Sequence, residues 1–367
     1  MTNQPLGTRP NTSAEANPTS DPHRRRRLPF AGSVALLGVL LWITGCGGGE
    51  TAPESTPAPE TGTPAPEVSL PAEQLLPSDL VLGSSGSDPG LLNEPAGLTV
   101  DAAGNVYVAD TMNHRIQKFD PDGKFLSQVG GNGSGEGQFQ EPWGVAVDAQ
   151  DNVWVADTFN HRIQKFDPNL NFVLAFGKSA SNLQDPEPDA FWGPRDVATD
   201  AEGNVWVADT GTGRVVKYSA TGALLREFGD MGSGPGQFTE LTSIEIAANG
   251  DIFVADSGNR RVQRFNAGFD FMAEYDVPGW LYIDSISKPY LALLPDGGLV
   301  ASDPTQNKLF HFDATGTPVA TFDAEGSPLV APRGVAFDNR GYLYVAENDP
   351  DQVRRLVASQ LEGQPAS

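Results

Sequence analysis

The segment Asn105–Asp120, NVYVADTMNHRIQKFD, returns forty-seven residues later as NVWVADTFNHRIQKFD, Asn152–Asp167. Only Tyr107/Trp154 and Met112/Phe159 differ, and both exchanges keep a large apolar side chain. Such self-similarity constrains a fold more than any composition does, because each copy must build the same unit and bury its apolar face against a neighbour. The acid of the element recurs as Asp110, Asp157, Asp209, Asp256, Asp303 and Glu347, at intervals of 47, 52, 47, 47 and 44 residues. Six registers result.

Each register has one grammar. A short apolar stretch (AGLTVD, WGVAVD, RDVATD) meets a turn rich in Gly, Asn and Asp. These residues supply the positive φ that tight hairpins need. A second apolar stretch (VYVA, VWVA, IFVA), a polar loop, a third (RIQKF, RVVKY, RVQRF) and a fourth (SQVG, LAFG, REFG) follow. Four short strands per unit and six units predict an all-β, six-bladed propeller over residues 78–358. The sixth register has only three strands. The missing one is expected from Leu80–Gly83, whose surroundings match the fourth strand and loop of register one, so that an N-terminal strand closes the last blade.

Composition bounds the partners. The chain of 367 residues carries a formal charge of −23 and a single Cys. Strong acidity argues against nucleic acid, and one Cys excludes an internal disulfide. Arg24–Arg27 precede the apolar run Leu28–Gly45, which ends at Cys46. This order reads as a secretory signal over residues 1–45. ITGC resembles the bacterial lipobox, which implies lipidation of Cys46 and cleavage before it. A plain transmembrane anchor is the alternative, and both place the rest of the chain outside the cytoplasm. The expected localisation is thus the cell envelope, with the membrane as a partner through the lipid anchor. Residues 46–77, rich in Pro, Thr and Glu, read as a spacer, and residues 359–367 as a disordered tail.

NVYVADTMNHRIQKFD and GEGQFQEPWGVAVD resemble the NHL repeat over about residues 80–357, weakly in register five. The resemblance implies either a platform that binds a small molecule, a glycan or a protein, or a lyase of the amidating or streptogramin type. Such lyases use histidines, a tyrosine or arginine, and a metal. Only His114, His161 and His311 lie in the propeller. His114 and His161 read as exposed loop residues and His311 as part of a solvated polar stripe with Lys118, Lys165, Lys217, Arg264 and Arg355. No metal, cofactor or catalytic residue is assigned, and a binding module is preferred.

Two residue sets are singled out. Asp110/Arg115, Asp157/Arg162, Asp209/Arg214 and Asp256/Arg261 recur in step and read as scaffold pairs. At the start of the first strand, Gly gives way to Asp196, Ser243 and Tyr290 in three adjacent registers. With Trp143, Arg195, Arg333 and Glu347, these form the candidate binding mouth, flanked by Trp280 and Tyr282. Glu347 faces Gln352 rather than Arg and so lacks the usual partner, with Arg333 in reach.

Overall fold

The computed structural model describes residues 78–280, 288–322 and 328–357. Every described residue belongs to one compact unit within Pro66–Ser367. Residues 1–77 with Cys46, the tail, and Tyr282 therefore lie outside the described residues.

Six four-stranded antiparallel sheets follow one another as blades. Their innermost strands are Pro95–Val100, Pro142–Val147, Pro194–Thr199, Leu241–Ile246, Leu291–Leu293 and Val335–Phe337. These strands touch in a ring around one axis. Blade 6 has Ser78–Leu82 as its outer strand, antiparallel to Gln352–Val357.

The burial of each strand follows from its place in the blade. Second strands such as Val153–Asp157 are buried at every position, because both faces meet a neighbouring blade. Fourth strands such as Phe125–Gly130 alternate half-buried and exposed, because only one face is covered. Each apolar cluster joins residues of at least two blades. Trp154 and Ile163 of blade 2, for example, pack with Val207 and Tyr218 of blade 3. No blade has a core of its own, so stability resides in the interfaces. A fully buried Val or Phe contributes about 1.5–3 kcal/mol there.

The recurring acid fastens the loop that enters its own blade. Asp110 Oδ1 accepts from Asn93 N, Asp157 Oδ1 from Gln140 N, Asp209 Oδ1 from Trp192 N and Asp256 Oδ1 from Thr239 N, all at 2.7–3.0 Å. The other oxygen faces an arginine at 2.6 Å (Arg115), 2.8 Å (Arg162), 3.3 Å (Arg214) and 3.0 Å (Arg261). Each arginine then donates to carbonyls of the same loop, as Arg162 does to Gly135 and Gln138. The acid, the base and the loop carbonyls thus form one buried clamp in each of blades 1 to 4.

His114 and His161 belong to this architecture. Each adopts a left-handed backbone (φ 55°) and its Nδ1 accepts a backbone N–H from the start of the next blade, Glu141 and Gly193 respectively, at 3.1 Å. His161 also stacks on Trp192 at 4.8 Å, and burial lowers its pKa. The two rings are half-buried inter-blade clasps rather than exposed loop residues.

Two further expectations are corrected. Glu347 is paired: Arg354 lies 3.3 Å away, and Gln352 Nε2 and Val330 N donate to it. Arg354 occupies the position of Gln117 and Gln164, so amide and guanidinium have exchanged places between the fifth and seventh residues after the acid. The basic stripe is not freely solvated either. Lys118, Lys165, Lys217 and Arg264 lie 4.6–5.3 Å over Tyr107, Trp154, Trp206 and Phe253, and each faces a turn acid. His311 is buried opposite Val300, with its ring 6.4 Å from Phe322.

The exchange in blade 6 yields a test. Arg354→Gln leaves Glu347 buried without its cation and should cost about 3 kcal/mol in chemical denaturation. Adding Gln352→Arg restores the arrangement of the other blades and should recover most of that loss. No recovery would show that the clamp positions are not interchangeable.

Candidate functional site: the axial channel

The level of the candidate mouth is set by three glycines. A Cβ on Gly97 would meet Trp143 O at 2.5 Å, and one on Gly144 would meet Asp196 Cα at 2.6 Å. Blades 6, 1, 2 and 3 can therefore approach backbone to backbone only because glycine stands at this level in three of them. Blades 3, 4 and 5 instead project Asp196, Ser243 and Tyr290.

These three side chains plug the axis. Asp196 accepts from Val197 N at 2.9 Å and Ile244 N at 3.0 Å, and from the Ser243 hydroxyl. Ser243 Oγ accepts from Leu291 N at 3.2 Å, and the Tyr290 hydroxyl crosses to donate to Trp143 O at 3.2 Å. Ser243 and Tyr290 are 1% and 3% exposed, so neither presents an open face. Burial raises the Tyr290 pKa, and the Asp196 charge adds to it.

Beside the plug, two guanidinium groups lie over the Trp143 ring. Arg195 is 4.2 Å and Arg333 5.8 Å from its ring centroid. Arg333 also lies 3.5 Å from Glu94, and Lys288 2.7 Å from Glu240. Burial lowers the Arg195 pKa, while Tyr290, Glu240 and Glu141 oppose that shift. This stack caps the channel. Trp143 Nε1 and Thr242 Oγ1 are buried with no hydrogen-bond partner among the described residues. Glu347 is not part of the group, and Trp280 is fully buried, its Nε1 donating to Ser302 O at 2.8 Å. The structure thus assembles six of the seven expected residues, but as a cap and plug rather than an open mouth.

The open space lies on the other side of the plug. A cavity of about 160 Å³ is walled by Asp196, Tyr290 and the innermost strands. It shares Thr99, Glu245 and Ala336 with a larger cavity of about 640 Å³ among the turns of blades 4 and 5. The latter volume is in the range of sites for small organic ligands. Blade 5 places Leu294 in its wall, at the position where blades 1 to 3 hold the acid that faces a lysine.

Glu245 was not foreseen from the sequence. Two residues beyond the plug level, the six registers read Thr99, Ala146, Ala198, Glu245, Ala292 and Ala336. One carboxyl thus interrupts a ring of small residues, and counting two positions on from Ser243 would have found it. No hydrogen bond reaches it among the described residues. Burial, followed by the Asp196 charge, pushes its pKa up to about 8, and burial pushes Asp196 up to about 7. Near neutrality Glu245 is therefore largely protonated and Asp196 about half so. Among the described residues no group of three or more His, Cys, Asp or Glu is placed to hold a metal ion.

Residues 92–119 and 139–166 match the NHL repeat, and residues 197–322 match a 6-bladed beta-propeller domain. The chain carries NHL repeats on a six-bladed propeller. It is 48% identical over 48 residues to the protein brain tumor of Drosophila melanogaster and 49% over 49 residues to protein lin-41 of Caenorhabditis elegans. Those matches cover 13% of this chain and 5% and 4% of the relatives. Among solved structures, a streptogramin B lyase superposes with TM-score 0.53 at 16% identity, over 75% of this chain and 97% of that one. A gluconolactonase from Xanthomonas campestris does so with TM-score 0.54 at 14% identity, over 78% and 98%. At these identities the likeness is one of fold.

The raised pKa of Glu245 has a measurable sign. Its folded value, about 8, exceeds its ordinary 4.5, so the folded chain holds the proton more tightly. Stability on this account is full below pH 4.5 and falls as pH rises toward 8. Glu245→Gln should match the wild type near pH 4.5 and exceed it near pH 8 by on the order of 3 kcal/mol. Parallel urea titrations at the two pH values check this. Equal differences at both would place the Glu245 carboxyl in water.

Proposed function

We propose that this protein is a non-catalytic binding platform, tethered through Cys46 on the extracytoplasmic side of the cell envelope, that takes a small ligand into the turn-face cavity. The observation that carries the binding role is the cavity of about 640 Å³, which shares Thr99, Glu245 and Ala336 with an axial channel plugged at its far end. A channel closed at one side makes a pocket with one opening rather than a pore. Rigid blade strands position its walls, which favours a preformed site. The tether rests on the basic cluster, apolar run and ITGC sequence that end at Cys46.

The alternative is a metal-assisted lyase on the same scaffold, and the fold likeness to a streptogramin B lyase is what favours it. The three propeller histidines speak against it, since His114 and His161 serve as backbone acceptors in separate blades and His311 lies in the third strand of blade 5. The acidic chain disfavours nucleic acid.

Two measurements test the proposal. Cells fed labelled palmitate should label the wild type and not Cys46→Ala, and equal labelling would remove the tether. Purified protein should show saturable binding in a screen of metabolites and glycans, without conversion of the ligand. Stoichiometric zinc that is lost in His114→Ala, with turnover, would establish the lyase instead.

A further inference from the structure

The walls of the turn-face cavity are chemically lopsided. Ile246, Leu293, Leu294 and Phe337 supply apolar surface. The charged groups on the lining are Glu245, Asp251, Asp296 and Arg264. Arg264 is committed to Asp251, with Nη2–Oδ2 2.6 Å and Nε–Oδ2 3.0 Å, so this pair is internally neutralised. Asp296, at the rim, accepts from Gly298 N at 2.8 Å. Glu245 remains, at the junction of the two cavities, with no hydrogen-bond partner among the described residues.

A half-buried carboxyl without a partner is costly to ionise. A cation brought to it would relieve that cost, whereas an anion would meet an acid-lined wall. An ammonium group supplies three donors and a compact charge. The apolar walls would meanwhile cover a hydrocarbon body. A doubly charged metal ion is a poorer fit, because a single glutamate leaves most of its coordination sphere unfilled and no cluster of three ligating side chains is present among the described residues.

We infer that the turn-face cavity selects small organic amines, with the ammonium group seated against the Glu245 carboxylate and the apolar body against Leu293, Leu294 and Phe337. This rests on the binding role proposed above and gives it a ligand class. Binding transfers no atoms other than protons: Glu245 enters the complex ionised, and any proton it held passes to solvent.

The test uses the full chain in detergent and calorimetric titration with 2-phenylethylamine, set against 2-phenylethanol of nearly the same shape. The amine should bind at least about tenfold more tightly than the alcohol, a difference of about 1.4 kcal/mol. In Glu245→Gln the two should bind alike. Leu294→Trp, which fills the cavity from its wall, should abolish both, and unchanged denaturation midpoints at pH 5 would show that both variants fold. An amine that keeps its advantage in Glu245→Gln, or an alcohol equal to the amine in the wild type, overturns the amine class while leaving the cavity as a binding site if Leu294→Trp still blocks it. Binding unaffected by Leu294→Trp, or no binding of either probe, overturns the inference, and the former also removes the cavity from the proposed function.

Discussion

The buried acid–base clamp is the interaction on which this propeller depends. A blade has no core of its own, so the connection between blades must be held as firmly as the strands within them. Asp110, Asp157, Asp209 and Asp256 each bind a loop N–H with one oxygen and an arginine with the other. Each arginine returns to carbonyls of the same loop. A buried ion pair alone would be a weak source of stability, because desolvation offsets most of its Coulomb energy. Here the pair does more: it satisfies backbone groups that would otherwise be buried without partners. Burial raises the pKa of Asp110, Asp157 and Asp209 even so, which shows how strongly the clamp is withdrawn from water.

The clamp tolerates exchange of its parts as long as charge and donors are conserved. Blade 6 keeps an acid, an amide and a guanidinium but swaps the last two between Gln352 and Arg354. Blade 4 shows the same freedom on the other face. Its turn has Ala247 where Asp101 stands, and Asp251 where Asn105 stands, and Arg264 reaches the displaced carboxylate at 2.6 Å. Local chemistry is conserved while positions are not. Blade 5 goes further and loses the turn acid and the aromatic ring, leaving Leu294 and Val300. The larger cavity borders that blade.

Much of the architecture was legible because a repeat states its rules several times. Alternation along Phe125–Gly130 and unbroken burial along Val153–Asp157 both follow from residue type and place in the blade. The site was less legible. Asp196, Ser243 and Tyr290 were visible as departures from glycine, and they do converge, but as a hydrogen-bonded plug. Glu347 looked unpaired because its guanidinium stands two residues from where the pattern puts it. Glu245 was overlooked because a single Glu in an amphipathic strand reads as solvated.

What the sequence by itself determined is the unit, its number, and the pairing of acid with base, since these are one-dimensional periodicities with local physical causes. The tertiary structure alone decided which side of the axis is open. Closing six strands into a ring brings Gly97 against Trp143 O and Gly144 against Asp196, contacts between residues about fifty positions apart. Whether a side chain at that level fills the axis or frames a mouth depends on how much room the opposite blades leave. That room is set by ring closure, to which all the blades contribute at once, and no local stretch of sequence carries it.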